Sequence, residues 1–409
     1  MISDEPIGII ELGNVKIKCI IFKINNDNNF EILSASLTNS EGIHNGVVVN
    51  PIKASKVIRS CISKAEKQAE VSIKKINVIL EQPELLCTKL SRDRKINGSK
   101  IQKEDIEFLL TDAKKQVTLN DSKQLIIHIF NHNYIVDGKT FLEEPINVYA
   151  DYLSHEMTFI TMPKNNIKNI NQVFFDCDIE VGRYISCTFA VATYLLNINE
   201  LKFGSTLIDI GFEKTSFGVF KNLALIHSAT LPIGVNHIVK DFSKVCSLSP
   251  EESKSIINKF DFSFEKNNHL FDQNGHLKNS YFHDSNFRKI SESLLLNILK
   301  ARLNEIFGLI KKQIHFAGYD SPAGTNLYIV GGGSNLLNLD QYCSNFFGSD
   351  VKKIKKTIDT NSNYMLDENF DSCLGGINLI KDGWETEAIP ENANQSNQKT
   401  SLLARIFGN

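Results

Sequence analysis

Three short glycine-containing segments, each placed directly after an apolar run, constrain the fold of this chain more than any other feature. They are ELGNVK at 11–16, DIGFEKTS at 209–216 and VGGGSN at 330–335. Glycine lets a backbone approach phosphate oxygens closely, and the N–H groups of the next turn or helix can donate to them. One such segment is more often a plain turn. Three such segments in this order and spacing favour phosphate-binding loops more than any one of them does alone.

Composition excludes several classes of function. The 45 basic and 47 acidic residues give a net charge of only −2, which argues against a chain-wide nucleic-acid-binding surface. The eight cysteines form no C-x-x-C pair and lack metal-ligand spacing, so we expect a reducing compartment and no structural metal. No apolar run reaches the roughly 18 residues of a spanning helix, so any membrane contact is predicted to be peripheral.

Hydrophobic periodicity predicts alternating strands and helices with a change of texture in the middle. Near the N-terminus it predicts strands at 7–12 and 16–24, a helix at 54–70 and a strand at 76–80. Two strand-like runs with an amphipathic helix at 102–116 between them indicate a small α+β unit inserted into a larger domain. The pattern then predicts helices at 167–174, 188–196 and 291–316, with an Asn274-Gly275 turn between the last two.

These motifs, in this order, resemble the actin and Hsp70-like ATPase superfamily, and most specifically the bacterial FtsA family. Its phosphate loops read D-x-G-[ST]-x-K and D-[IL]-G-G-G-T-T, and its adenosine motif reads G-G-x-[AS]. The run NYIVDG…EEPINVYADYLSHEMTFIT resembles the family's inserted subdomain. The matching positions are Gly13, Lys16, Asp209, Gly211, Thr215, Gly331, Gly332 and Ser334.

The resemblance implies a two-lobed actin-like (ribonuclease H-like) α/β fold with an inserted SHS2-like α+β subdomain. It implies these segments: 1–82 and 165–203 as subdomain 1A, 83–164 as the insertion 1C, 204–240 and 309–368 as subdomain 2A, 241–308 as subdomain 2B, 369–382 as a return to 1A, 383–399 as a flexible linker and 400–409 as a membrane-targeting tail.

ATP with Mg²⁺ is the cofactor that the resemblance implies. The implied nucleotide-binding residues are Gly13, Asn14, Lys16, Asp209, Gly211, Lys214, Thr215, Glu252, Gly331, Gly332, Gly333 and Ser334.

The loops depart from the family pattern at several positions. Phe212 and Glu213 replace glycines and crowd the phosphates, and Glu213 adds like charge, which Lys214 could partly offset. Glu11 replaces Asp and reaches one methylene too far for the usual contact with Mg²⁺-bound water. Two interpretations follow: an ATP site with unusual side chains, or a decayed site that keeps the fold.

The predicted helix at 291–316 contains ILKARLNEI, which resembles the family's I-x-x-R-L-x-E-I segment. In that family the surrounding subdomain receives the C-terminal peptide of FtsZ. The resemblance implies that Arg302 and Glu305 contact this peptide, because a guanidinium suits an acidic, partly apolar segment. An ordinary amphipathic helix is the default interpretation of the same pattern.

The final residues SLLARIFGN predict an amphipathic helix capped by Ser401. Its implied membrane-contacting residues are Leu402, Leu403, Arg405, Ile406 and Phe407. A tail that docks back onto the body is the alternative, and the long polar linker argues against it.

The resemblance implies a cell-division scaffold that tethers FtsZ filaments to the cytoplasmic membrane, self-assembles and recruits later division proteins. It implies at most very weak ATPase activity and no metabolic reaction. The implied partners are the FtsZ C-terminal peptide, further copies of the chain, an anionic membrane surface and later division proteins; no nucleic acid is expected. The implied location is the cytoplasmic face of the bacterial inner membrane at the division site. The alternatives are an actin-like module of a pilus or secretion machine, or an ATP-dependent enzyme of the same superfamily.

Overall fold

A computed structural model describes residues 5–25, 29–263, 267, 269–281, 289–316, 326–356 and 366–382. The predicted linker at 383–399 and tail at 400–409 lie outside the described residues. The described residues divide into two compact units. Unit 1 takes those up to Gly204, those of Gly218–Ala229 and those from Lys356 onward, and unit 2 takes those of Ser205–Phe217 and Thr230–Lys355.

The strands of the described residues are β1 Ile7–Leu12, β2 Lys16–Ile24, β3 Phe30–Asn39, β4 Ile43–His44, β5 Val47–Val48, β6 Lys75–Leu80, β7 Leu86–Lys100, β8 Gln124–Val136, β9 Lys139–Phe141, β10 Tyr149–Pro163, β11 Glu180–Ser186, β12 Ser205–Ile210, β13 Thr215–Lys221, β14 Ala224–Leu231, β15 Asn326–Val330 and β16 Val351–Lys353. The helices are α1 Pro51–Ala69, α2 Lys103–Asn120, α3 Lys164–Phe175, α4 Cys187–Leu195, α5 Ile198–Phe203, α6 Val235–Val245, α7 Pro250–Lys259, α8 Glu292–Phe316, α9 Leu339–Phe347 and α10 Asp371–Asp382.

Two five-stranded sheets repeat one plan. The first has the order β11-β6-β1-β2-β3, in which β1, β2 and β3 are antiparallel neighbours and β6 runs parallel to both β1 and β11. The second has the order β14-β13-β12-β15-β16, in which β15 runs parallel to both β12 and β16. Each sheet therefore starts with three strands joined by short loops and adds two later strands on the far side of the first. This topology confirms the predicted α/β class.

The predicted insertion is a separate small sheet within unit 1. Strands β7 to β10 form a sheet in the order β7-β10-β8-β9, and α2 lies between β7 and β8 in the chain. Helix α2 buries Ile106, Leu109, Ala113 and Val117 at a spacing of three or four residues, the period that places apolar side chains on one helix face. These side chains join two apolar clusters with strand residues that include Leu153 and Phe159.

Several elements are longer than the apolar periodicity indicates. Helix α1 begins at Pro51 rather than at the predicted residue 54, because Asn50 caps it: its side chain accepts the Lys53 N–H at 3.1 Å, and Pro51 occupies the first turn. Apolar periodicity predicts only a short strand at 179–181 in the next region, whereas β11 continues to Ser186. Within the described part of the chain, no helix combines the length and apolar character needed to cross a membrane.

Candidate nucleotide-binding loops

The first loop is the turn between β1 and β2 in unit 1, and we call it loop 1 (residues 13–15). A Cβ on Gly13 would lie 2.4 Å from the carbonyl oxygen of Lys16, so the turn requires glycine here. The Asn14 side-chain amide donates to Asn45 Oδ1 at 3.0 Å, and Lys16 Nζ donates to Asn39 Oδ1 at 2.6 Å. Two of the predicted phosphate-binding side chains are thus held by neighbouring asparagines.

Glu11, immediately before loop 1, is bound by the chain itself. Lys18 Nζ lies 2.7 Å from Glu11 Oε2, and the hydroxyl of Ser372 donates to the same oxygen. Lys18 and Glu11 are direct cross-strand partners in the β1–β2 hairpin, and their side chains are only 16% and 12% exposed. Burial alone would lower the pKa of Lys18, but the adjacent Glu11 carboxylate raises it above its ordinary value. The two side chains form a largely buried ion pair.

The second loop joins β12 to β13 in unit 2, and we call it loop 2 (residues 211–214). The Gly211 N–H donates to the Lys214 carbonyl at 2.9 Å, which closes the turn between neighbouring strands. Thr215, which follows the loop, is fully buried, and its hydroxyl donates to the Ile233 carbonyl at 2.8 Å. The segment DIGFEKTS is therefore a tight hairpin turn as well as a family motif.

Both unusual side chains of loop 2 have partners on nearby helices. Glu213 Oε1 accepts a hydrogen bond of 2.6 Å from Asn236 Nδ2, and Glu213 Oε2 lies 3.4 Å from Lys240 Nζ. The Glu213 side chain is 17% exposed, whereas Lys240 is half-exposed. On the other side, Lys254 Nζ lies 5.8 Å from the centroid of the Phe212 ring, within reach of a cation–π contact.

Loop 2 also uses the backbone donors at the start of α6. The N–H groups of Val235 and Asn236 donate to the carbonyls of Gly211 and Phe212 at 3.1 and 2.7 Å. This close approach depends on Gly234, because a Cβ there would lie 2.6 to 2.7 Å from three backbone atoms of loop 2. The Gly234 N–H donates to His237 Nδ1 at 3.1 Å, and the His237 N–H returns to the Gly234 carbonyl. The four amides that a helix start could offer to an anion are thus paired within the protein.

The third segment, VGGGSN, packs against the end of β12. Because β12 and β15 are parallel, with Asp209 paired to Val330, the turns that follow them meet at one edge of the sheet. Gly331 has a φ of +82°, and a Cβ there would lie 2.1 Å from Asp209 Oδ1. Gly333 is equally restricted, since its Cβ would lie 2.4 Å from the Ile210 side chain. Ser334 turns its hydroxyl back to the Gly331 carbonyl at 2.8 Å.

Glu252, one of the predicted nucleotide-binding residues, lies in the first turn of α7. Its carboxylate accepts the Ser249 N–H at 2.8 Å, and its own N–H donates to the Ser249 hydroxyl at 3.1 Å. This reciprocal capping box begins the helix. The side chain is 5% exposed, so in this arrangement Glu252 contributes to the helix start.

The structure brings loop 2, the VGGGSN segment and the start of α6 together within unit 2, and it places loop 1 in unit 1. The family pattern implies that these loops bind the phosphates of Mg-ATP. The side chains at both loops do not fit that group as they stand, because Glu11 already binds an ammonium and Glu213 places a carboxylate within loop 2. No cluster of three or more His, Cys, Asp or Glu side chains suited to a metal ion occurs among the described residues.

Sequence reasoning missed the partners of both acidic side chains. Lys18 could have been found from hairpin geometry, since a short turn after Leu12 places residues 11 and 18 opposite each other. Asn236 and Lys240 are separated by one helical turn, the spacing at which two side chains meet one group. The region between 221 and 250 gave no signal that α6 lies against loop 2.

Arg302 and Glu305, the predicted peptide contacts, are close together on α8. Arg302 Nη1 donates to Glu305 Oε2 at 2.5 Å, while its Nε and Nη2 bond to Asp241 of α6. Arg302 is 22% exposed, Asp241 25% and Glu305 47%, so the cluster remains accessible from solvent.

Comparison with known families agrees with the predicted resemblance. A model described as "Cell division protein FtsA" matches residues 206–372, and a model described as "SHS2 domain inserted in FTSA" matches residues 84–161. The chain is 22% identical over 414 residues to the cell division protein FtsA of Pseudomonas aeruginosa, covering 99% of this chain and 97% of that one. It is 24% identical over 356 residues to that of Buchnera aphidicola subsp. Acyrthosiphon pisum, covering 85% and 83%.

Solved structures with the same fold include actin-like proteins. The chain matches a PilM-PilN type IV pilus biogenesis complex with a TM-score of 0.62 and 10% identity, covering 92% of this chain and 98% of that one. It matches ADP-bound MreB5 of Spiroplasma citri with a TM-score of 0.51 and 12% identity, covering 93% and 98%. At these identities the matches show the fold alone, and they confirm the predicted actin-like class.

Proposed function

This chain belongs to the FtsA family of cell division proteins, and from that membership we propose that it tethers FtsZ filaments to the cytoplasmic membrane. It has a role in cell division. In the proposed scaffold, one surface binds the FtsZ C-terminal peptide, copies of the chain assemble into filaments, and the C-terminal tail binds an anionic membrane. Later division proteins bind the assembled scaffold at the cytoplasmic face of the membrane.

One observation carries this proposal: the family match includes the inserted subdomain as well as residues 206–372, which contain most of the second five-stranded sheet. The insertion forms its own sheet together with α2. In chain order it lies after β6, a strand of the first five-stranded sheet, and before α3. A sugar kinase of the same superfamily would need a catalytic carboxylate facing a substrate pocket, and no motif in the sequence suggests one. The pilus-complex match has 10% identity and supports the fold without favouring that function.

The charge cluster on α8 supports a peptide-binding surface in unit 2. Arg302 lies with two carboxylates, those of Asp241 and Glu305, so an acidic peptide would bind by sharing or replacing an internal carboxylate. Lys300, exposed on the same helix, adds positive charge nearby.

We propose that Mg-ATP binds weakly and is turned over too slowly for the protein to act as an enzyme. This proposal rests on the side chains at positions 11, 212 and 213, which replace the residues of the family pattern. Scaffolding does not require turnover.

The test is co-sedimentation of the purified chain and FtsZ with liposomes that contain anionic lipid. We expect FtsZ to pellet only when the full chain and liposomes are both present, and to stay in the supernatant when residues 401–409 are deleted. Parallel samples with and without ATP measure the contribution of nucleotide. FtsZ that stays soluble with the full chain, or that pellets equally without the tail, would contradict the tethering role.

A further inference from the structure

At each of the two loops, a charged side chain of the protein lies where the family pattern implies a part of a Mg-nucleotide complex. The loops lie in different units, and each is described by itself. On the strands that flank loop 1, the Lys18 ammonium lies against the Glu11 carboxylate. In loop 2, the Glu213 carboxylate lies against an ammonium and an amide of α6.

In unit 1 the group in question is the Lys18 ammonium. The family pattern places at position 11 a carboxylate that serves a Mg²⁺-bound water. Here Lys18 Nζ lies 2.7 Å from that carboxylate, and the Ser372 hydroxyl donates to the same oxygen. Both side chains are nearly buried, so the pair is weakly screened by water. A metal-bound water at Glu11 would have to displace a buried cation that is already hydrogen-bonded.

In unit 2 the group in question is the Glu213 carboxylate. One of its oxygens accepts from Asn236 Nδ2 at 2.6 Å, and the other lies 3.4 Å from Lys240 Nζ. An amide N–H and an ammonium are also the donors that proteins use to bind phosphate oxygens. The backbone carbonyls of Gly211 and Phe212 take two further α6 donors. An arriving phosphate would therefore meet a carboxylate and donors that are already paired.

We propose that Lys18 substitutes for the metal ion and Glu213 for the phosphate, so that both loops keep the conformations described above without nucleotide. This inference concerns the regulation of the loops, and it depends on neither FtsZ nor membrane binding. It goes beyond weak nucleotide affinity, because it makes two further predictions. Removing the Lys18 charge should make the protein respond to Mg²⁺, and removing the Glu213 charge should make it bind nucleotide phosphate.

The loop 1 test is the thermal unfolding of the full chain with and without MgCl₂. The wild type is expected to show no Mg²⁺-dependent shift. Lys18→Met leaves Glu11 buried without its cation, so its unfolding temperature should fall in chelator and recover partly with Mg²⁺. The matched control is Glu11→Gln with Lys18→Met, which removes both charges and should not respond to Mg²⁺.

The loop 2 test is calorimetric titration of the full chain with ATP and with inorganic phosphate. Glu213→Gln keeps the size of the side chain and removes its charge, and we expect it to bind ATP at least tenfold more tightly than the wild type. Glu251→Gln is the matched control, because Glu251 is exposed on the first turn of α7 and should leave affinity unchanged.

Two results would overturn the inference. The first is a Lys18→Met protein whose unfolding temperature does not rise with Mg²⁺. A Lys18→Met protein that stays unfolded in Mg²⁺, while the double variant folds, counts as the same result. The second is ATP affinity that Glu213→Gln leaves unchanged or weakens. These readouts use no FtsZ and no lipid, so they are separate from the outcome of the co-sedimentation test.

Discussion

Arg302 of α8 donates two hydrogen bonds to the carboxylate of Asp241 on α6, from Nε to Oδ2 at 2.7 Å and from Nη2 to Oδ1 at 2.9 Å. This bidentate geometry is the strongest form of an arginine–carboxylate contact. Arg302, which is predicted to bind a partner peptide, thus also links α8 to α6 within unit 2. The two roles make different predictions.

Arg302→Glu should abolish co-sedimentation of FtsZ, because a reversed charge repels an acidic peptide as well as losing a bond. We expect a weakening of about 2 kcal/mol or more, which is about thirtyfold or more in affinity. Peptide titration by fluorescence anisotropy measures it directly, with circular dichroism to check that the variant is folded.

The control for this experiment is Asp241→Asn, which removes the internal carboxylate and keeps Arg302. If Arg302 contacts the peptide, this variant should bind at least as tightly as the wild type. If it loses FtsZ to the same extent as Arg302→Glu, Arg302 serves to hold α8 against α6. Normal recruitment by Arg302→Glu would place the peptide groove elsewhere.

Restoring glycine at the second loop should improve the nucleotide site. Phe212→Gly with Glu213→Gly removes a ring beside Lys254 and a carboxylate beside the turn, so Mg-ATP should bind at least about tenfold more tightly. Calorimetry measures the change. Strong Mg-ATP binding by the natural protein that these two changes weaken would refute the decayed-site interpretation.

Gly331 is a position where only glycine fits. Gly331→Ala should destabilise the protein by about 1–3 kcal/mol or more, because its φ is +82° and its new Cβ would lie 2.1 Å from Asp209 Oδ1. Gly332→Ala is the matched control, since no atom lies within 4 Å of its Cβ position, and it should cost at most about 0.5 kcal/mol. Urea unfolding compares the two. Equal stabilities would show that this turn relaxes easily.

Much of the fold could be predicted because its signals are local. Strands β1 and β2 and helix α8 follow from apolar periodicity, and their bounds match the predicted ones to within a residue. Helix α10 does not follow from local propensity, because it contains Gly375 and Gly376. Glycine at position 375 is required by the packing of α10 against α4, because a Cβ there would lie 1.7 Å from the Ala190 carbonyl oxygen.

The site shows the same division. The positions of the three glycine loops were predictable from sequence order, and the Glu11–Lys18 pair was predictable from hairpin geometry. The Glu213–Lys240 pair was not predictable. Glu213 and its partner Lys240 are separated by 27 residues, and a pairing at that distance depends on how α6 packs. The conclusion that Phe212 and Glu213 alter the loop came from the residues themselves. The contacts of Glu213 with Asn236 and Lys240 of α6 could be found only from the structure.

His155 should make the inserted subdomain sensitive to acid. The ring is 1% exposed and stacks on Tyr134 with centroids 4.3 Å apart, and burial lowers its pKa to about 4. The unfolded chain takes up this proton below a pH of about 6.5, while the folded chain takes it up only near 4, so stability falls as the pH drops through that window. At pH 5 the loss is about 2 kcal/mol, and above pH 7 it is negligible.

His155→Phe keeps the stacked ring and removes the titrating group. The difference in unfolding free energy between pH 7.5 and pH 5 should therefore be smaller in this variant than in the wild type by about 2 kcal/mol. Urea unfolding at both pH values measures it. An unchanged difference would show that other groups dominate the acid sensitivity.

The tail at 400–409 lies outside the described residues, and its sequence predicts an amphipathic helix. Leu402, Leu403, Ile406 and Phe407 share one face of the predicted helix. Full burial would contribute about 1.5–3 kcal/mol for each, but a helix in the interface buries them partly, so about 3–6 kcal/mol in total is expected. Arg405 adds about 1 kcal/mol on an anionic leaflet. One tail then binds with a dissociation constant between about millimolar and micromolar, before the cost of ordering the helix.

A filament changes this weak anchor, because many tails on one polymer act at a high effective concentration and attachment becomes steeply dependent on assembly. Leu403→Glu or Phe407→Glu puts charge on the buried face and should release the protein from liposomes. A variant that cannot polymerise should also bind poorly, although its tail is intact, and fusing two tails to it should restore binding. If deletion of residues 401–409 leaves liposome binding unchanged, the tail is not the anchor and the docked-tail alternative replaces it.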